Sequence, residues 1–328
     1  MIGIFKQRSP LVWAALLVYA LLIKWPYWSM PQLVETTSGG GPLFESLLSF
    51  LAGDRPESNR LRILGLLLNL VQALQINGLI NRHRMMGSVN FLPALSYLTI
   101  SSAFPDWNAF TASSLVLTVA LWIFQSQFSL YQTPQSRGAV FNRCLVWGIL
   151  PLIEPAAWSL CLWGWMGIWV MRPFRWSELG VMIVGLLTPY YFLGVWKFWR
   201  GADDWYRLFP SIRFHPPVTG DPRWFFTGIG LLAIPTLLGM LQVQSNLRKM
   251  LIPVRKGWTH WTLLLFLTLP FPFLVGSGGW TGFAPILIPI AAFQACFFYY
   301  ASLRIFPILF FWVQLFAILW LQYGSRFT

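Results

Sequence analysis

The apolar residues of this chain come in about eleven long blocks, and the connectors between them are mostly short and basic. A run of that length belongs either in a large protein core or in a bilayer, and a succession of them leaves only the bilayer. The charge content agrees: 10% of the 328 residues are Asp, Glu, Lys or Arg, against about 25% in a soluble domain. In hydrocarbon every backbone N–H and C=O must be satisfied inside the protein, so a span is a helix or part of a closed barrel. The runs here are continuous and do not alternate, which excludes the barrel. The expected fold is all-α: a polytopic transmembrane helical bundle of about 11 spans (10–12), forming a single integral-membrane domain over 1–328.

The spans are expected at about 10–28, 62–81, 90–104, 109–127, 139–153, 156–171, 177–198, 224–243, 259–275, 282–300 and 305–322. Several fall short of the ~20 residues that cross a full hydrocarbon core, so half-helices are expected among them. The first block follows Lys6 and Arg8, as a signal peptide would, but lacks a small-x-small cleavage site. It reads as a retained first span ending in an interfacial anchor, Lys24-Trp25-Pro26-Tyr27-Trp28.

Net charge is +13, and topology rather than nucleic acid accounts for it. Arg82, Arg84, Arg137, Arg143, Arg172, Arg175, Arg248, Lys249, Arg255, Lys256 and Arg304 all fall in alternate connectors. The intervening turns at Pro105-Asp106, Glu154-Pro155 and Ser277-Gly278-Gly279 carry no Lys or Arg. That asymmetry predicts a cytoplasmic N-terminus and, for an odd span count, an external C-terminus. Cys144, Cys161 and Cys296 sit inside apolar runs, where neither a disulfide nor a thiolate metal site is expected.

Two external connectors are long. The first, about 29–61, contains an amphipathic stretch at 43–51, with Leu43, Phe44, Leu47, Leu48, Phe50 and Leu51 near one helical face and Glu45, Ser46 and Ser49 on the other. The second, about 199–223, carries Arg200, Asp203, Asp204, Trp205, Tyr206, Arg207, Arg213 and His215. Long loops are where sites are built. Asp203, Asp204 and Glu45 are the candidate catalytic carboxylates, as general base or as holders of a divalent cation on a phosphate. Arg200, Arg207, Arg213, His215 and Asp54 are the candidate substrate-binding residues, the arginines gripping phosphate oxygens through their planar forks. The same residues also fit an interfacial turn whose acids pair with Arg200 and Arg207, and solvated faces at Glu45 and Asp54. His215 has no second histidine near it, so no metal site is expected there. His83, between Arg82 and Arg84, reads as part of a basic headgroup-facing patch, and His260 as lying at the inner interface.

Asn69, Gln72, Gln75, Asn77 and Asn81 recur along one apolar block, and should turn it toward other helices. Gln125, Gln127, Gln242, Gln244, Gln294 and Gln314 support the same bundle-interior reading. No Walker loop, dinucleotide fingerprint, HExxH or nucleophile elbow is present, and no cofactor is expected beyond a divalent cation. No carboxylate sits centrally in a block, which argues against an ion-coupled carrier.

The stretches Ile4-Phe5-Lys6-Gln7-Arg8-Ser9-Pro10, Asn90-Phe91-Leu92-Pro93-Ala94-Leu95-Ser96-Tyr97, Arg172-Pro173-Phe174-Arg175-Trp176-Ser177-Glu178 and Gly185-Leu186-Leu187-Thr188-Pro189-Tyr190-Tyr191-Phe192-Leu193 resemble a family of Bacteroidota inner-membrane proteins with no established activity. Some of its members bear an enzyme name for carotenoid cleavage. That chemistry needs a histidine-rich iron site, which three scattered histidines cannot build. A more distant, architectural similarity is to C-type glycosyltransferases and O-antigen polymerases, polytopic enzymes with acidic and arginine-bearing external loops that use polyprenyl-phosphate sugars. These resemblances imply a protein of the bacterial inner membrane, in cell-envelope biogenesis, handling a polyprenyl-phosphate-linked glycan at the periplasmic face. The alternatives are a non-catalytic scaffold or assembly subunit binding envelope-complex proteins, and a transporter.

Overall fold

The computed structural model describes residues 2–7, 9–29, 40–52, 59–131, 137–173, 175–201, 222–270, 272–273, 280–301, 303 and 305–324. Among them are thirteen α-helices and no strand: α1 (Ile2–Phe5), α2 (Pro10–Ser29), α3 (Pro42–Ala52), α4 (Asn59–Arg82), α5 (Leu92–Ser101), α6 (Ala112–Gln127), α7 (Arg137–Ile153), α8 (Trp158–Met171), α9 (Trp176–Arg200), α10 (Pro222–Asn246), α11 (Ile252–Thr268), α12 (Ala284–Tyr300) and α13 (Ile305–Gly324). Four segments are long and apolar enough to cross a membrane, Arg60–Arg82, Ala112–Leu130, Trp176–Arg200 and Thr281–Tyr300. Every expected block contains a helix, but three depart from the expected bounds. The block at 259–275 is a helix that begins at Ile252 and ends at Thr268, because Pro270 and Pro272 follow and cannot continue it. The helix in the block at 224–243 continues to Asn246.

The third departure matters most. The block at 90–104 is reduced to α5, ten residues, every one of them buried. At about 1.5 Å per residue it covers about 15 Å, half of a roughly 30 Å hydrocarbon layer. It is a half-helix inside the bundle rather than a span facing lipid. Non-helical backbone follows from Ser102 to Thr111, broken only by a 3-10 turn at Pro105–Trp107. Such backbone is tolerated away from water only where side chains satisfy it, and here they come from three other helices. Asn69 of α4 donates to the Trp107 carbonyl at 2.9 Å. Gln322 of α13 donates to the Ser102 carbonyl at 2.7 Å, and Tyr27 of α2 donates to the same carbonyl at 2.8 Å. Asn108 binds its own turn, donating to Ser101 and Phe104 carbonyls at 2.9 and 2.8 Å.

Around α5 the bundle closes through small residues. A side chain at Gly239 of α10 would overlap the Phe293 carbonyl of α12, and one at Gly185 of α9 would press on the Phe141 carbonyl of α7. Gly167 of α8 faces the His260 ring of α11, and Gly164 faces Trp147 of α7. Close backbone approach through glycine is how helices associate when lipid offers no hydrophobic contrast. Prolines at 26, 151, 189 and 235, together with Pro289, lie inside helices that continue past them.

The polar face expected on the second block is present. Asn69, Gln72 and Asn77 are buried. Gln72 donates to the Ser114 carbonyl at 2.7 Å and accepts from the Tyr97 hydroxyl at 2.6 Å, while the Asn81 side chain donates to the Asn90 carbonyl and accepts from the Asn90 N–H. Gln127, Gln294 and Gln314 are buried in the same way, donating to carbonyls of neighbouring helices. Gln244 is the exception, and is exposed.

Candidate functional site

The two ends of the bundle are built from opposite helix termini. At one, the last turns of α6, α8 and α12 meet basic side chains: Lys6 donates to the Tyr299 carbonyl at 3.3 Å, Lys256 to the Met171 carbonyl at 3.1 Å, and Arg143 to Ser126 and Ser129 at 2.8 to 3.0 Å. Arg172 and Glu178 form a buried ion pair at 2.8 Å. Cations at helix C-termini are favoured by the unpaired carbonyls and the negative end of the dipole. His83 belongs to this end, but it stacks on Phe128 with ring centroids 3.9 Å apart, half-buried, and does not simply face outward. Burial first, then Arg82, lowers its affinity for a proton.

The other end gathers the first turns of α6, α8 and α12, together with α3. The amphipathic helix expected at 43–51 is α3, Pro42–Ala52. It is seated by Phe44, which packs on Leu61, Phe110 and Ala112, with the Phe110 ring 5.9 Å away. Its start is tied to the end of α7, where the Gly41 N–H donates to the Ile153 carbonyl at 2.7 Å. A side chain at position 41 would strike the Leu152 carbonyl, so glycine is required there for the close approach. Leu43, Leu47 and Phe50 are left exposed, Phe50 at 86%, and Glu45, Ser46 and Ser49 are exposed beside them.

Of the eight candidate site residues, the described structure holds two. Glu45 is exposed on α3. Arg200 is exposed at the last turn of α9, where its guanidinium lies 4.4 Å from the Trp196 ring centre and Gly201 closes the helix in a left-handed turn. Asp54, Asp203, Asp204, Arg207, Arg213 and His215 lie outside the described residues. Glu45 and Arg200 are therefore the two of these groups whose placement is described.

Two residues stand elsewhere than their sequence context suggests. Lys24, expected as an interfacial anchor, is buried at 4% exposure and donates to Ser101 and Asn108. It links the side chains of Ser101, at the end of α5, and Asn108, while Trp25 beside it is exposed. His260, expected at the inner interface, is fully buried, packed by Phe124 and Trp163 with ring centroids 4.4 and 4.6 Å away. Its helix begins seven residues earlier than the block suggested, which carries the histidine deep into the bundle.

Glu154 is the residue whose role the sequence understated. It precedes the 3-10 turn Pro155–Ala157 without capping it. Instead its carboxylate accepts from the Ser113 hydroxyl at 2.5 Å, across to the first turn of α6. Burial pushes this carboxyl up to about 7, and the Ser113 hydrogen bond pulls the other way. It lines a crevice with Ser113, Ser159, Thr268, Pro272 and Pro285. One signal was available: a Glu-Pro pair directly after an apolar block, with no base near it in the sequence to neutralise it.

No family model, curated protein or solved structure matches this chain. Its function must be read from its own residues.

Proposed function

We propose that this is a multi-pass protein of the bacterial inner membrane, N-terminus cytoplasmic, that handles a polyprenyl-phosphate-linked glycan at the periplasmic face during envelope biogenesis. The observation that carries the reading is α3. It is a short helix fixed at both its start and its inner face, yet it leaves Leu43, Leu47 and Phe50 uncovered beside the exposed carboxylate of Glu45. A helix of this kind lies at a lipid–water boundary with its apolar side chains among acyl chains. A long apolar tail with a polar head meets the same two surfaces there. Basic groups for a phosphate stand at Arg60, exposed at the start of α4, which packs on α3. In this reading Arg200, Arg207 and Arg213 supply further phosphate contacts, His215 and Asp54 help to bind the head, and Asp203, Asp204 or Glu45 acts as acid or base, in the manner of a C-type glycosyltransferase or a polymerase.

Mass spectrometry of the protein purified in mild detergent tests this. A retained polyprenyl-phosphate glycan, lost in an Arg207→Ala/Arg213→Ala variant that still purifies as a folded protein, is the expected result. A stoichiometric partner protein with no such lipid would identify a scaffold of an envelope complex in its place.

A further inference from the structure

The elbow between α10 and α11 presents cations and aliphatic side chains side by side, and both kinds are uncovered. α10 ends at Asn246, a 3-10 turn spans Leu247–Lys249, and α11 begins at Ile252. The Met250 N–H closes the turn on the Leu247 carbonyl at 3.1 Å, and α11 opens with the Arg255 N–H on the Leu251 carbonyl at 3.0 Å. Leu247 and Met250 pack against the apolar core, and Val254 is buried. The residues between these anchors are exposed: Arg248, Lys249 and Arg255, with Leu251 at 72% and Ile252 at 51%. Leu251 and Ile252 stand four and three positions before Arg255, so on the first turn of α11 they are its neighbours.

Other cations at this end of the bundle are already committed. Lys256 donates to the Met171 carbonyl and lies over the Tyr131 ring, Arg143 holds Ser126 and Ser129, and Arg172 pairs with Glu178. The side chains of Arg248, Lys249 and Arg255 form no hydrogen bond or ion pair among the described residues. No Asp or Glu occurs from Pro222 to Thr328, so their own stretch of chain supplies no counter-charge. A topological preference accounts for cations at one end of a bundle. It does not account for three unpaired ones in a single elbow, with two uncovered aliphatic side chains among them.

We propose that the α10–α11 elbow is a binding site for an anionic phospholipid of the surrounding bilayer. Arg248, Lys249 and Arg255 meet the headgroup, and Leu251 and Ile252 meet the first part of the acyl chains. Long cationic side chains suit this boundary, since their stems lie on apolar surface while their ends reach the headgroups. A guanidinium takes two phosphate oxygens at once. A zwitterionic headgroup carries a cation of its own, which three basic groups repel, so the site selects net negative charge. Each cation close to an anionic surface strengthens binding about fivefold, and salt screens the attraction. The elbow lies at the end opposite α3, so the site is separate from the lipid-substrate reading and stands or falls without it.

Native mass spectrometry of the full chain in mild detergent, titrated with dioleoylphosphatidylglycerol or dioleoylphosphatidylcholine, tests the site. The first phosphatidylglycerol adduct is expected to form at lower lipid concentration than the phosphatidylcholine adduct. Arg255→Gln should weaken it about fivefold, and Arg248→Gln/Lys249→Gln/Arg255→Gln should remove the preference. Leu251→Ser/Ile252→Ser should weaken it as well, and inorganic phosphate should not displace it. Arg137→Gln is the control: it removes an exposed cation followed by an exposed glycine, Gly138, with no aliphatic side chain in that place, and should leave binding unchanged. If the triple variant is not recovered folded, Arg255→Gln and a weakening of the unaltered protein's adduct by raised salt carry the test. Equal binding of the two lipids, or an unchanged preference in the triple variant, would overturn the proposal. So would an equal loss in Arg137→Gln, which marks a diffuse field, or displacement by inorganic phosphate with Leu251→Ser/Ile252→Ser silent, which marks a free-anion site.

Discussion

The two segments Thr281–Tyr300 and Trp176–Arg200 have the same mean hydropathy, 1.7, but 72% of the first is buried inside the protein and 11% of the second. Hydropathy reports only that a side chain avoids water. A packed core and a lipid tail are equally apolar, so the index cannot tell them apart. What separates the two is side-chain size and the groups that need partners. The buried helix α12 carries Ala291, Ala292, Ala295 and Cys296 with the hydrogen-bonded Gln294. The exposed helix α9 shows Leu187, Tyr191, Phe192, Val195 and Trp196 to its surroundings, and meets the bundle mainly along α7, where Gly185 and Gly148 let the two backbones approach. Small residues let neighbouring backbones close in, whereas large ones fill space against mobile lipid.

That contrast can be broken by substitution, and the largest effect is expected at Phe293. It is fully buried on α12, and Phe293→Ala should cost about 3–5 kcal/mol through the cavity it leaves. Phe192→Ala on α9, exposed at 65%, should fall within about 0.5 kcal/mol of the unaltered protein in the same unfolding titration. Equal losses at the two positions would mean that α9 is covered by protein in the membrane.

A smaller effect is expected at the glycines. Gly239→Ala drives a methyl into the Phe293 carbonyl and should destabilise by about 1–3 kcal/mol. Gly180→Ala, with nothing within 4 Å of the added carbon, should instead stabilise α9 by about 0.5–1 kcal/mol, since alanine loses less backbone entropy in a helix. Thermal midpoints of the two variants should therefore move in opposite directions. Smaller again is Tyr97→Phe, which removes the 2.6 Å hydrogen bond to Gln72. About 1 kcal/mol is expected from the lost bond, with no change in helix content by circular dichroism.

The candidate site was legible only in outline. The 43–51 helix could be read from its periodicity, because amphipathicity is a local property of one segment. Glu45 was identified with it and is exposed, as a surface carboxylate should be. Glu154 was read only as a turn residue. Its surroundings include Ser113, 41 positions earlier, and Thr268, 114 positions later, and no pattern in either neighbourhood announces that they share a crevice. Lys24 misled for the same reason: beside Trp25 and Pro26 it looks like an anchor, and only its approach to Ser101 and Asn108 shows otherwise.

The sequence by itself determined that the chain is helical, that its helices seek an apolar environment, where most of them lie, and which face of α4 turns inward. These follow from backbone hydrogen bonding without water and from the spacing of polar residues, both carried by a single segment. Only the tertiary structure decided which apolar helices are enclosed and which face outward, that α5 stops halfway, and that Glu154 sits among five helices. Each of those depends on contacts between segments far apart in the chain, and apolar side chains of equal hydropathy do not encode which neighbour they will meet.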